Sequence, residues 1–177
     1  MDDDRKIRFE AVYKETYEPI LGYALRRCAS PEDAADVVAE TFAIAWRRFD
    51  TMPPDGEARL WLYGVARNVL ANHQRGLARH RHAGVALDTD IADLYARSPE
   101  GSVELGTIAR TFRELPDDDR ELISLVAWEG LDREEIAKVL GCSRNAVRIR
   151  LYRARKRFSK ALAGAGVSAG HLVMESA

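Results

Sequence analysis

Apolar residues recur at steps of three and four along almost the whole chain, which is the spacing of one face of an α-helix. In the first such segment, between Ile7 and Arg27, they are Phe9, Val12, Tyr13, Tyr17, Ile20, Leu21, Ala24 and Leu25. The same spacing returns in each later segment that is long enough to form a helix. The sequence therefore predicts an all-α fold.

Helix-start and helix-stop signals divide this pattern into separate elements. Ser30-Pro31-Glu32-Asp33 combines an N-capping serine, a proline in the first turn and carboxylates that interact favourably with the helix dipole. The helix that begins there is predicted to end at the proline and glycine cluster of residues 52–56. A third helix is predicted from about Ala58 into an arginine- and histidine-rich stretch that ends at His82.

The middle of the chain has the composition of a linker. Residues 83–105 contain glycines, a proline and scattered acids without a sustained period, apart from a candidate helical turn at 91–96. The 177 residues suffice for one compact domain or two small ones, since typical domains have roughly 100–150 residues. We predict two small helical domains joined by a flexible linker, with a first domain over residues 1–82, the linker over 83–105, a second domain over 106–162 and a loose tail over 163–177.

Capping signals in the second half of the chain define a helix–turn–helix. Asp132-Arg133-Glu134-Glu135 has the form of a capping box, Gly141 ends the helix that follows, and Ser143 caps the last helix. The segment from Glu134 to Phe158 thus consists of a short helix, a tight turn and a longer helix. These are the dimensions of a DNA-binding helix–turn–helix.

The charge of the chain is strongly segregated, although its formal total is only −1. Residues 136–160 contain nine basic side chains and no acidic one, whereas residues 114–135 contain nine acids and two arginines. A local cationic stripe attracts phosphate whatever the total charge, so the pattern favours a nucleic-acid partner. The alternative is a solvated helix face whose cations pair with the acidic segment.

A helical wheel separates two faces of the last helix. Val147, Leu151, Ala154 and Phe158 form an apolar stripe that must pack on the preceding helices. The other side carries Arg148, Ile149, Tyr152, Arg153 and Lys156, joined near the helix start by Asn145. Because the apolar stripe contains no charge, these residues are available to a partner. An arginine among them can read guanine through two parallel hydrogen bonds, and others can hold phosphates.

The third helix interleaves aromatic, cationic and amide side chains. Trp61 and Tyr63 lie beside Arg59 and Arg67, and Asn68 and Asn72 follow. Single-stranded bases are bound by such a combination, through stacking on rings and attraction of the backbone. Taken by itself the pattern favours a core role for the tryptophan, since aromatic residues at helical spacing more often pack inside.

Several classes of function lack support in the sequence. Cys28 and Cys142 lie far apart, and His73, His80 and His82 fit no usual zinc spacing. We find no phosphate-binding glycine loop, no His-Glu-x-x-His pair and no nucleophile–base pair, so we expect no metal, no cofactor and no enzymatic activity. No apolar run approaches the roughly 20 residues of a membrane span, and residues 1–6 do not begin a secretory signal. The expected location is the cytoplasm, without a membrane partner.

Four motifs in order resemble those of bacterial RNA polymerase sigma factors of the extracytoplasmic-function (ECF) group. They are PEDAADVVAETF (31–42), WLYGVARN (61–68), LP (115–116) and EEIAKVLGCSRNAVRIRLYRAR (134–155). The resemblance spans about residues 7–160 and implies a two-domain initiation factor made of regions two and four. Such a factor binds core RNA polymerase and directs it to promoters, reading the −35 element as duplex and the −10 element as melted strand. An anti-sigma factor is a further candidate partner.

The resemblance also implies where the polymerase binds, on the clamp of its β′ subunit and on its β flap. The helix over residues 31–50 matches the element that docks on the clamp, with Asp36 and Glu40 in acidic positions. Ala39 departs from the glutamine that the family often has there. The expected polymerase-binding residues are Asp33, Asp36, Glu40 and Trp46.

For promoter DNA, Asn68 matches the position that reads a flipped −10 base, Trp61 matches the helix that wedges the duplex open, and residues 51–57 match the loop around that base. The residues expected at the −10 element are Trp61, Arg67, Asn68 and Asn72. The residues expected at the −35 element are Arg144, Asn145, Arg148, Ile149, Tyr152, Arg153 and Lys156.

A second interpretation keeps the helix–turn–helix but gives the first domain another role. The chain would then be a stand-alone transcriptional regulator with an N-terminal ligand-sensing or dimerising domain. Such a regulator binds duplex DNA without polymerase, usually as a dimer on two half-sites.

Overall fold

The computed structural model describes residues 2–54, 56–81 and 103–167 of the chain. Within these ranges it contains seven α-helices, one short 3-10 helix and no β-strand, so the prediction of an all-α fold with two small domains is confirmed. The two compact units are Met1–Asp90 and Ile91–Ala177. The helices are α1 (Asp2–Leu25), α2 (Pro31–Arg47), the 3-10 helix (Phe49–Thr51), α3 (Ala58–Arg81), α4 (Val103–Arg113), α5 (Asp117–Ala127), α6 (Arg133–Leu140) and α7 (Arg144–Gly164).

Most of the predicted linker, including the candidate turn at 91–96, lies outside the described residues. The part that the structure describes, residues 103–105, already belongs to α4. The second domain therefore begins with a helix slightly before the predicted boundary at residue 106.

The first domain is a bundle in which α1, α2 and α3 pack on one another. Ile20 and Tyr23 of α1, Val37 of α2 and Leu62 of α3 are withdrawn from solvent at its centre. The start of α2 is fixed as the sequence predicts, because the Ser30 hydroxyl accepts a hydrogen bond from the backbone N–H of Asp33 at 3.1 Å. The bundle thereby holds the exposed sides of α2 and α3 in fixed orientations.

Arg8 ties the loop after α2 to the first helix. Its guanidinium donates a hydrogen bond to the carbonyl of Pro53 at 3.0 Å and lies 5.2 Å from the ring centre of Phe49. Phe49 and Met52 are buried beneath the loop. The backbone at the start of the segment 51–57 is thus fixed by a contact from a helix about 45 residues away.

The second domain is built around α7, which packs against α4, α5 and α6. Leu125 of α5, Ile136 of α6 and Val147 of α7 are withdrawn from solvent in its core. Phe112 of α4 contacts the ring of Phe158 edge-on, with the ring centres 5.7 Å apart. The apolar stripe that the wheel assigned to α7 is therefore the side that packs on the other helices.

The helix–turn–helix has the capping interactions that the sequence predicts. The Asp132 carboxylate accepts from the backbone N–H groups of Glu134 and Glu135, and the Glu135 carboxylate accepts from the N–H of Asp132 at 2.9 Å. Gly141 ends α6 in the left-handed conformation with φ 65°. The Ser143 hydroxyl then caps α7 by accepting from Ala146 N–H at 3.1 Å. These contacts fix the direction in which α7 leaves the turn.

The helix α7 is longer than predicted, and this shortens the tail. It continues to Gly164, Leu162 is buried, and the N–H of Val167 donates to the carbonyl of Leu162 at 2.9 Å. Val167 is itself buried, so residues 163–167 belong to the folded domain rather than to a loose tail. Residues 168–177 lie outside the described part of the chain.

One charged pair links the acidic and basic segments of the second domain. Arg157 Nε and Nη2 donate to the two carboxylate oxygens of Asp119 at 2.5 and 2.9 Å, and only 5% of the Asp119 side chain is exposed. Hydrogen bonding to this carboxylate, together with its charge, raises the pKa of Arg157 above its usual range. The pair holds α7 to the start of α5.

We expect Asp119→Asn to lower the free energy of unfolding of the full chain by about 1–3 kcal/mol, because the amide keeps the volume but loses the charge and one acceptor. Urea unfolding followed by circular dichroism measures the loss. Asp117→Asn is the matched control, since Asp117 is 90% exposed and pairs with Arg120 in the same turn. The control should change stability by less than about 0.5 kcal/mol, and equal losses in the two variants would contradict this role of Asp119.

Candidate nucleic-acid interface

The two sides of α7 differ sharply in exposure. Val147 and Ala154 have no exposed surface and Leu151 is 3% exposed. On the other side Tyr152 is 66% exposed, although it is a large aromatic residue. All the residues predicted to face DNA on this helix are exposed, and they are Arg144, Asn145, Arg148, Ile149, Tyr152, Arg153 and Lys156.

The first turn of α7 presents a preformed polar group. Asn145 Oδ1 accepts hydrogen bonds from Arg148 Nε at 3.2 Å and from Arg148 Nη2 at 3.1 Å. Asn145 lies two residues and Arg148 five residues after the Ser143 cap, so both belong to the first two turns of α7. In a helix–turn–helix the N-terminal residues of the second helix contact base edges.

The cations on the exposed side of α7 are not neutralised by the acidic segment. Asp119 pairs with Arg157, on the flank of the helix, and Asp117 pairs with Arg120 in its own turn. Within the described ranges, no carboxylate lies within ion-pair distance of Arg148, Arg153 or Lys156. The interpretation of α7 as a helix paired with acids therefore holds for Arg157 but not for the side that carries Tyr152.

The aromatic residues of α3 have different environments. Tyr63 is 2% exposed and lies against Tyr23, with the ring centres 5.3 Å apart. Tyr63 therefore belongs to the core of the bundle and is not available for stacking on bases. Trp61 is half-buried, on the same side of the helix as Asn68 and Asn72, which are exposed. Arg67, the fourth residue predicted to contact the −10 element, is half-buried.

Two arginines extend this side of α3 and were not among the predicted residues. Arg75 Nη2 donates to Asn72 Oδ1 at 2.6 Å, and Arg79 Nε donates to the carbonyl of Arg75 at 3.3 Å. Both arginines are exposed and line a shallow groove with Asn72. Their spacing of three and seven residues from Asn72 is the sequence signal that places them on one face. Trp61, Asn68, Asn72, Arg75 and Arg79 are called the α3 strip below.

The predicted polymerase-binding residues of α2 fall into two groups. Asp33 accepts a hydrogen bond from the Ser30 hydroxyl at 2.8 Å and lies 3.4 Å from His73 Nε2, so its carboxylate is engaged within the bundle. Asp36 and Glu40 are exposed, and Glu40 pairs with Arg47 at 3.1 Å. Of the predicted acids, only these two therefore present their carboxylates on the exposed side of α2.

Trp46 presents an exposed aromatic surface near the end of α2. It is 42% exposed, packs edge-on against Phe9 with ring centres 5.1 Å apart, and lies beneath the guanidinium of Arg5. Apolar contact area of this kind is a frequent component of protein interfaces.

Neither cysteine nor histidine chemistry is apparent in the described part of the chain. It contains no group of metal-ligating side chains that could hold an ion, and Cys28 and Cys142 are both free thiols. Burial, reinforced by the Asp33 carboxylate and opposed by Arg27, raises the pKa of Cys28 to about 11. Cys28 therefore stays a neutral thiol at physiological pH.

Among the described helices, none combines the length and apolarity needed to cross a membrane.

Comparison with known proteins gives two family matches in the order of the two domains. Residues 12–80 match Sigma-70 region 2, and residues 105–158 match Sigma-70 region 4. The first match covers α3 with the α3 strip, and the second covers the helix–turn–helix.

Individual relatives agree with this assignment. The chain is 31% identical over 173 residues to the RNA polymerase sigma-H factor of Pseudomonas aeruginosa, covering 89% of this chain and 87% of that protein. It is 32% identical over 152 residues to the ECF RNA polymerase sigma-E factor of Escherichia coli, covering 79% of each. The solved structure of CnrH with the cytosolic domain of CnrY matches with a TM-score of 0.65 and 28% identity over 90% of each chain. The chain therefore belongs to the ECF sigma factors, the promoter-specific initiation factors that associate with bacterial RNA polymerase.

Proposed function

We propose that this sigma factor contacts promoter DNA at two places, with α7 on the −35 element as duplex and the α3 strip on the −10 element as melted strand. The observation that carries the proposal is the exposed cationic side of α7, which lies opposite the buried Val147, Leu151 and Ala154. A helix whose packing needs only one side can place the other in a major groove, which is wide enough to admit it.

The residues of α7 divide into base readers and phosphate contacts. Arg148 and Arg153 can each offer guanine two parallel hydrogen bonds, whereas Arg144, at the first position of α7, and Lys156, more than three turns after the Ser143 cap, suit phosphates. Ile149 cannot donate a hydrogen bond, so its contact would be apolar, for example with a thymine methyl group. Tyr152, at 66% exposure, adds a further contact at the centre of the same side.

The side chains of the α3 strip are of the types that bind single-stranded DNA. Extruding a base costs a few kcal/mol, and a pocket must capture the base to compensate. Asn68 supplies an amide for the base edge and Trp61 supplies a ring at the duplex junction. Arg75 and Arg79, together with Arg67, supply positive charge for the backbone. The loop over residues 51–57 would enclose the flipped base, and the hydrogen bond from Arg8 to the carbonyl of Pro53 anchors the start of this loop.

Docking on the polymerase would use the exposed side of α2. Asp36 and Glu40 would contact the β′ clamp through their exposed carboxylates, and Trp46 would add apolar contact area near the end of the helix. Asp33 would act by fixing the start of α2, since its carboxylate is held by Ser30 and His73. The second domain would bind the β flap.

Two small domains on one polymerase do not each need high affinity for DNA. Attachment to the same enzyme turns the second binding event into an intramolecular one at high effective concentration.

The proposed location is the cytoplasm, where the polymerase acts. The CnrH complex supports a further proposal that a protein of the anti-sigma class binds this chain.

The central experiment adds the purified chain to sigma-free core RNA polymerase and measures initiation on a library of genomic promoter fragments. We expect initiation at a limited set of sites that share two elements, and none with core enzyme alone. A stand-alone regulator would instead bind its sites without polymerase and leave initiation by core enzyme unchanged. That result would contradict the proposal.

Replacing a base-reading arginine should relax specificity. For Arg153→Ala we expect a loss of about 1–3 kcal/mol in duplex binding by the holoenzyme, with weakened preference at one base pair. Lys156→Ala is the control, because a phosphate contact should weaken binding uniformly across sequences and lower the salt slope by about one. Binding titrations on matched and singly substituted duplexes at several salt concentrations distinguish the two. A uniform loss for Arg153→Ala would remove it from base readout.

Asn68→Ala should separate strand opening from duplex binding. We expect the −35 affinity of the holoenzyme to be unchanged and permanganate reactivity of thymines in the −10 region to fall by about tenfold or more, as for the loss of a base contact. Gln74→Ala is the control, since this exposed amide lies on another side of α3. Full opening by Asn68→Ala would exclude Asn68 from the site.

A further inference from the structure

The hydrogen bonds between Asn145 and Arg148 restrict what each residue can do on DNA. One oxygen, Asn145 Oδ1, accepts from two nitrogens of the same guanidinium, Nε at 3.2 Å and Nη2 at 3.1 Å. An amide oxygen has two acceptor sites, so this oxygen is fully used. The contact occurs in the first two turns of α7, where the helix would meet base edges.

For Arg148, the contact leaves one edge of the guanidinium available. The group has five N–H donors, one on Nε and two on each terminal nitrogen. With Nε and one Nη2 hydrogen engaged by Asn145, the Nη1–Nη2 edge is the one that retains two parallel donors. That edge matches the O6 and N7 acceptors of guanine.

For Asn145, the contact excludes the usual way in which an asparagine reads DNA. An asparagine recognises adenine by accepting from N6 and donating to N7. Accepting from N6 requires Oδ1, which Arg148 already occupies. Asn145 can therefore hold Arg148 or read adenine, but it cannot do both.

We infer that Asn145 is a positioning residue, which fixes the guanidinium of Arg148 so that its Nη1–Nη2 edge reads a guanine in the −35 duplex. The inference rests on the proposed function and changes the expected role of Asn145 from a direct DNA contact to an indirect one. A free arginine side chain must lose rotamer freedom when it binds. Because Asn145 already restricts the Arg148 side chain before DNA binds, less rotamer freedom is lost on binding. The resulting gain in affinity occurs only at the base pair that Arg148 reads.

A double-mutant cycle on holoenzyme tests the inference. Core polymerase is combined with the full chain or with Asn145→Ala, Arg148→Ala or both, and each holoenzyme selects from a duplex library randomised over the upstream element. We expect Arg148→Ala to lower base discrimination at one position by about 10- to 100-fold. Asn145→Ala should lower it at the same position by about 2- to 10-fold. In the Arg148→Ala background, Asn145→Ala should change nothing.

A conservative variant tests whether the oxygen acceptor of Asn145, rather than its amide NH2 group, is what supports Arg148. Asn145→Asp keeps an oxygen acceptor for Arg148, so base discrimination at that position should be retained while binding to all sequences weakens because of the added negative charge. Thermal unfolding of all variants should stay close to that of the original chain, since both side chains are exposed.

The possible outcomes distinguish the positioning role of Asn145 from the proposed base contact of Arg148. Losses that add in the double variant, an effect of Asn145→Ala at a second position, or Asn145→Asp behaving like Asn145→Ala would overturn the positioning role. A holoenzyme whose base preferences survive Arg148→Ala unchanged would contradict the proposed base contact of Arg148 and, with it, the positioning role of Asn145. The second result is distinguishable from the first set because it concerns Arg148 alone.

Discussion

Helix α7 carries its apolar and cationic residues on opposite sides, and both the packing of the second domain and its proposed use on DNA depend on this separation. Nine basic side chains fall within residues 136–160, and like charges one turn apart destabilise an isolated helix. Burial of Val147, Leu151 and Ala154 against three other helices compensates for that repulsion. The Asp119–Arg157 pair neutralises one cation on the flank and leaves the outer side positive.

The first domain also separates buried core residues from polar residues on its outer surface. Its core takes Tyr23, Leu62 and Tyr63, while α2 and α3 keep polar residues on their outer sides. Arg8 connects α1 to the start of the loop that follows α2, and α1 also packs against α3, which carries the α3 strip. With a formal total charge of −1, the proposed attraction to DNA would have to come from local cationic surfaces rather than from the chain as a whole.

Periodicity and capping residues were sufficient to predict the helices and the two sides of α7, because both signals are local. The Ser30 cap, the capping box at Asp132 and the glycine at position 141 occur where the sequence places them. Contacts between distant segments could not be predicted in this way. The spacing of Tyr63 is compatible with either a core or a surface position, and only the packing of α1 against α3 decides it. The Arg8 anchor and the engagement of Asp33 by His73 likewise depend on tertiary neighbours.

Site-specific photo-cross-linking tests most directly whether the two domains hold different forms of DNA at one start site. A benzophenone amino acid replaces Tyr152 in one holoenzyme and Trp61 in another, and both are irradiated on the same promoter. The probe at position 152 should react with upstream base pairs that resist permanganate, and the probe at position 61 with the edge of the permanganate-reactive segment. Reaction of both probes with the same intact duplex, or of the probe at position 152 with protein alone, would contradict the claim that the two domains hold different forms of DNA.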